Sequence, residues 1–217
     1  MPPRTQAFVP PQLKGHAARQ GSSAVRRARA LSGHPIARRI LGVDPGLHRT
    51  GYGVIEMPDS QFLQPASGPR ARSLSTMSPQ LVEGGVLRAR ADDPFPLRLQ
   101  TLHDGLREVL DEHKPEVVVI EDLFSTYAHP RSALLMAHAR GVLMLAAQEA
   151  GVRVHSFTPN EVKQVVTGHG HAAKPEVQSA VRARLKLNSP LNPPDVADAL
   201  ALAICYAHRQ ELGELLT

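Results

Sequence analysis

Apolar residues recur along this chain first with a period of two and later with a period near 3.6. Residues 40–44 (ILGVD) and 50–56 (TGYGVIE), separated by the turn formers Pro45 and Gly46, predict a hairpin. A third strand is expected in VEGGVLRA, after a long loop, 57–80, rich in Pro, Ser and Gln. From Leu97 the spacing changes: Leu97, Leu99, Leu102, Leu106, Val109 and Leu110 mark a helix that Lys114 and Pro115 end. EVVVIED is too apolar for a one-sided strand and predicts a central strand covered on both faces. A helix over 131–150, a strand VRVHSF and shorter helices near 158–166 and 175–186 follow. The last helix opens in NPPDVADALALAICYAHRQ, with Asn192 as its cap and Pro193 as its first residue. A strand meander followed by alternating strands and helices predicts an α/β layer fold, a mixed five-stranded sheet flanked by helices.

With 217 residues the chain is long enough for one domain with a sizeable core. Residues 1–39 depart from the rest: they hold eight Arg or Lys, five Pro and no acid, and read as a disordered basic N-terminal extension. The folded domain is expected over 40–212, with 213–217 as a tail. Lys and Arg total 25 against 20 Asp and Glu, a formal charge of +5 that favours a polyanion, with nucleic acid the leading candidate. The lone Cys205 excludes an intrachain disulfide and reads as a core residue. Without a run of about eighteen apolar residues or a hydrophobic signal core, the expected location is the cytoplasm.

Four acids stand out against this basic background. Asp44 ends the first strand, Glu121 ends the central strand, and Asp195 and Asp198 lie three apart on one face of the last helix. Singly, each has a structural explanation as a turn residue, the wet end of a strand or a helix-dipole partner. Asp198 fits such an explanation least, because Val196 to Ala207 is otherwise apolar and an isolated carboxylate there is costly. Asp195, one turn away, repels it unless a positive charge lies between them. Oxygen-only ligands suit magnesium or manganese, and acids on a DNA-binding protein make sense as metal ligands. The combination fits a two-metal nuclease that leaves 5′-phosphate and 3′-hydroxyl ends.

The stretches LGVDPGLHRTGYGVIE, VVVIEDLFS, ALLMAHARGVLMLAAQEAG, PNEVKQVVTGHGHAAKPEVQ and DVADALALAICYAH resemble, in order and spacing, the RuvC-type Holliday-junction resolvases. The resemblance covers about 40–208. It implies a ribonuclease H-like fold, a homodimer, paired symmetrical nicking of four-way junctions in recombination and repair, and work beside a branch-migration motor. It also implies that Asp44, Glu121, Asp195 and Asp198 are the catalytic metal ligands, that Phe124 acts at the junction crossover, and that Lys163 and Lys174 lie near the scissile phosphate.

Gly168 and Gly170 would let the backbone approach DNA closely, while His169 and His171 read as polar surface or phosphate contacts. Arg131, Arg182, Arg184 and Lys186 are candidates for a phosphate track and equally for solubility. The 131–150 helix is apolar on more than one side, which suits either a dimer surface or burial within one subunit. The extension before residue 40 and the long 57–80 loop depart from the family pattern. Other readings of the acids are a ribonuclease H-like nuclease for RNA–DNA hybrids or other branched DNA, an actin-like nucleotide-binding fold, and a junction-binding protein without catalysis.

Overall fold

The computed structural model describes residues 37–58, 78–123 and 130–212. The N-terminal extension up to residue 36, most of the 57–80 loop, Phe124 and residues 213–217 lie outside the described residues.

Chain order is β1 (Arg39–Asp44), β2 (Arg49–Glu56), β3 (Gln80–Arg88), α1 (Phe95–His113), β4 (Val117–Glu121), α2 (Pro130–Glu149), β5 (Arg153–Phe157), α3 (Pro159–Thr167), α4 (Lys174–Arg184) and α5 (Pro194–Glu211). The strands form one sheet in the order β3-β2-β1-β4-β5. β1, β2 and β3 are antiparallel neighbours, whereas β4 runs parallel to both β1 and β5. This is the mixed five-stranded sheet expected from the sequence.

Strand periodicity divides the core into two. Leu41, Val43, Val118 and Ile120 face α1 and α2, packing with Leu102, Leu106 and Leu143. Ile40, Val117 and Val119 face the opposite way, into a cluster with Leu200, Ile204 and Phe157. Both faces of β1 and β4 are therefore covered, which is why their sequences read as continuous apolar runs.

α5 lies directly on β1 and β2, with α3 and α4 packed on its outer side. Every residue from Ala199 to Ala207 is buried, as an all-round apolar helix requires. Two glycines permit the close approach: a Cβ on Gly42 would lie 1.9 Å from the Ala199 carbonyl oxygen, and one on Gly51 would lie 2.2 Å from that of Asp195. Cys205 is fully buried, and burial pushes its thiol up to about 12, so it is the core residue expected.

The start of α5 corrects the expected cap. Pro193, in extended backbone and joined to Asn192 by a cis peptide, takes the cap position, and Pro194 is the first helical residue. With two successive prolines, either satisfies the requirement for a residue without an N–H, and the shift moves Asp195 to the second helical position.

Candidate metal-dependent nuclease site

Asp44 and Glu121 end neighbouring parallel strands, with Val43 paired to Ile120. Alternation turns both acids to the sheet face that carries α5, where Ile40, Val117 and Val119 lie. The turn after Asp44 is closed by the buried Thr50, whose Oγ1 donates to the Gly46 carbonyl at 2.8 Å and accepts from the Gly46 N–H at 3.2 Å. Beneath Glu121, Arg140 of α2 donates from Nε to the Glu121 carbonyl at 3.0 Å and from Nη2 to Ser156 Oγ at 2.7 Å. The ends of β4 and β5 are thus held by one guanidinium.

Asp44, Glu121 and Asp198 line a cleft of about 290 Å³ together with Lys163 and Lys174. Lys174 Nζ lies 2.6 Å from Asp198 Oδ2. Asp195 sits outside the cleft lining, where its carboxylate accepts a hydrogen bond from Arg49. Each aspartate of α5 therefore has its own basic partner. The expectation that Asp198 is the deeply buried acid is also modified: 28% of its side chain is exposed. Desolvation falls instead on the strand acids.

Burial is the largest cause that raises Asp44 to about 8, followed by repulsion from Glu121, Asp198 and Asp195, with Lys174 opposing. Glu121 is raised by burial and then by Asp198, against the pull of Lys163 and Lys174. Lys174 is itself raised, first through its hydrogen bond to Asp198. A buried carboxyl such as Asp44, raised to about 8 and crowded by other acids, is a poor anion by itself and a good cation trap. The donors are all oxygens, so the residues fit a divalent cation of the hard class.

The remaining expected site residues fall at the margins. Gly168 ends α3 with φ of 93°, a conformation that explains the glycine without DNA. A Cβ at Gly170 would make only ordinary contact with Asn160 and Gln164, and Arg131, His169 and His171 are exposed. Arg182 and Arg184 donate to the carbonyls of Asn188 and Val165, so both are engaged within the subunit. Sequence reasoning missed Arg49 and Arg140. Arg49 was visible as a cation in the turn after Asp44, whereas nothing local marks Arg140, whose partners are 16 and 19 residues away.

Comparison with known proteins places this geometry. The sequence model for the family described as Crossover junction endodeoxyribonuclease RuvC matches residues 70–206, a span that begins beyond Asp44. A protein of that description from Rhodopirellula baltica is 45% identical over 166 residues, covering 76% of this chain and 84% of the relative. Another, from Syntrophotalea carbinolica, is 42% identical over 179 residues, covering 82% and 99%. Thermus thermophilus RuvC, solved alone and with a Holliday junction substrate, superposes with a TM-score of 0.69 at 33% identity, covering 81% of this chain and 96% of that one. The yeast mitochondrial Holliday junction resolvase, at 13% identity and a TM-score of 0.53, shares the fold.

The class is a ribonuclease H-like nuclease, built on a mixed sheet with α5 laid across β1 and β2. Within that class the chain belongs to the RuvC family of crossover junction endodeoxyribonucleases. Among the described residues no helix is long and apolar enough to cross a membrane.

Proposed function

We propose that this chain resolves four-way DNA junctions by metal-dependent phosphodiester hydrolysis, with residues 40–212 as the nuclease domain. The observation that carries the reading is the meeting of Asp44, Glu121 and Asp198 in one cleft flanked by Lys163 and Lys174. Asp195 completes the ligand set from the rim once Arg49 yields its carboxylate. Two magnesium or manganese ions per site suit these acids. Activation of water and neutralisation of charge on the departing 3′-oxygen are the chemistry such cations supply when bound.

The chain's own residues do the rest. Asp44 and Glu121 are fixed by their strands, and Asp44 gives up its proton as the site fills. Lys163 and Lys174 offset the charge of the scissile phosphate. Apolar Val162 and Val177 form walls that limit competing water. Phe124 is assigned its role at the crossover by resemblance to the family, since an aromatic can stack on or wedge between unpaired bases. Gly168, Gly170 and Arg131 lie on the approach to DNA.

Paired nicks need two sites on a dyad, so a homodimer is part of the reading. Leu134 and Leu145 of α2, 63% and 51% exposed, support an interface on that helix. A branch-migration motor as partner and action in the cytoplasm complete the proposal.

The test is cutting of a labelled synthetic four-way junction beside linear duplex and RNA–DNA hybrid, with magnesium, manganese or chelator. Paired ligatable nicks that need metal, together with an Asp44→Asn variant that binds without cutting, are the expected result. Cutting of the hybrid alone would overturn the substrate assignment.

A further inference from the structure

On the edge strand β3, Glu83 meets Glu112 and His113, the last two residues of α1. One ligand atom from each lies within 4.8 Å of the others. The His113 side chain is nine-tenths buried, with 10% exposed, and its Nε2 has no hydrogen-bond partner. That nitrogen lies 3.3 Å from Glu83 Oε2 but outside hydrogen-bonding geometry, so proximity does not satisfy it.

We propose that Glu83, Glu112 and His113 form a second cation site, of the zinc class, that clasps the edge strand β3 to the end of α1. One imidazole nitrogen and two carboxylates suit a borderline first-row ion better than magnesium, which prefers oxygen alone. Three ligands at zinc-like bond lengths lie about 3.4 Å apart, so small side-chain movements close the trio. Supporting residues are already in place. The Tyr52 hydroxyl donates to Glu83 Oε1 at 2.5 Å, which leaves Oε2 for the cation. Arg39 Nη1 donates to the His113 carbonyl at 2.8 Å and fixes the helix end. The C-terminal end of a helix favours a positive charge, and the exposed Glu112 leaves an open path to solvent.

The site is separate from the acidic cleft. Arg39, which holds the His113 carbonyl, begins β1, and Asp44 ends it, about 16 Å away at the rise of a strand. A cation here tethers an edge strand that only β2 otherwise pairs, which is a stabilising role rather than a step in hydrolysis.

Zn²⁺ binding to the metal-free full chain is the test, by calorimetric titration and thermal unfolding. The chain carries Asp44→Asn, Glu121→Gln and Asp198→Asn, so that the cleft does not compete. Zn²⁺ should raise the unfolding temperature of this parent, and Glu112→Gln or Glu83→Gln should weaken its tight binding by roughly tenfold or more. Co²⁺ should give visible absorption that disappears with His113→Ala. Glu112 is exposed, so Glu112→Gln keeps the test open if the His113 variant fails to fold. Equal Zn²⁺ uptake and stabilisation in the parent and in Glu112→Gln would overturn the proposal. In the otherwise unaltered chain, Glu112→Gln should leave junction cutting with magnesium unchanged.

Discussion

Lys174 Nζ rests 2.6 Å from Asp198 Oδ2, so an ammonium occupies one side of an acid that is also needed to hold metal. The contact joins the first residue of α4 to the fifth residue of α5, and α4 enters the same core through Val177 and Val181. Lys174 therefore has two opposed effects: it competes with a cation for Asp198, and it places positive charge where a phosphate must come.

Replacing Lys174 with Met separates these effects. Turnover on a saturating junction substrate should fall by roughly 10²-fold, the size of loss seen when one preorganised electrostatic partner is removed. Half-maximal activity should nevertheless need less magnesium than in wild type. Single-turnover cutting across a magnesium titration reads both quantities.

Protonation of Asp44 makes metal binding dependent on pH. Its carboxyl is raised from 3.8 to about 8, so near neutrality cation binding must expel a proton. Affinity should rise by about tenfold per pH unit as pH approaches 8 and flatten above it. The sign for stability is opposite. The metal-free folded chain holds a proton that the unfolded chain releases above 3.8, so stability should decline as pH rises between about 4 and about 8. Asp44→Asn should remove most of that decline and raise the metal-free unfolding temperature at pH 8 while abolishing cutting. Thermal melts with chelator across this range check it.

Gly42→Ala places a methyl group 1.9 Å from the Ala199 carbonyl oxygen, a backbone atom that can move only with α5. A loss of about 1–3 kcal/mol is expected from overpacking of this kind, visible as an earlier midpoint in urea. Because Asp195 and Asp198 ride on the displaced helix, activity should fall further than stability predicts. Leu200→Ile on the same helix is the comparison, since it keeps volume and leaves the sheet contact free to repack.

Arg140→Met leaves the Glu121 carbonyl and Ser156 hydroxyl without their partner. About 1–3 kcal/mol of stability should be lost, and turnover should fall while junction affinity in a gel-shift assay stays near wild type. A loss of affinity as large as the loss of turnover would assign Arg140 to DNA contact instead.

Leu134→Arg and Leu145→Arg test the proposed dimer surface. Both side chains are exposed within the subunit, so the fold should survive. Sedimentation should show monomer, and cutting should become single, unpaired nicks.

Much of this architecture was legible because it depends on local pattern. The apolar runs of β1 and β4 gave strands buried on both faces, and their terminal acids followed by counting. The all-round apolar sequence from Val196 to Ala207 announced a helix enclosed by its neighbours. Long-range pairings were less accessible. No spacing rule joins Arg49 to Asp195, 146 residues later, or assigns Lys174 to Asp198 rather than to solvent. Asp198 has a cation beside it, Lys174, yet burial falls more heavily on Asp44 and Glu121, because the open start of α5 leaves Asp198 partly wet. Two prolines in succession concealed which one begins the helix.

That seating has a mechanical consequence. Carbonyls of α5 fit against Gly42 and Gly51 as a notched shaft fits a keyway, so the helix can neither roll nor slide without backbone collision. One residue of slip would turn it by about 100° and carry both aspartates away from β1 and β4. The azimuth of the rod is thus locked by an absence of side chains, and the alignment of three distant pieces of chain is complete before any ion or DNA arrives.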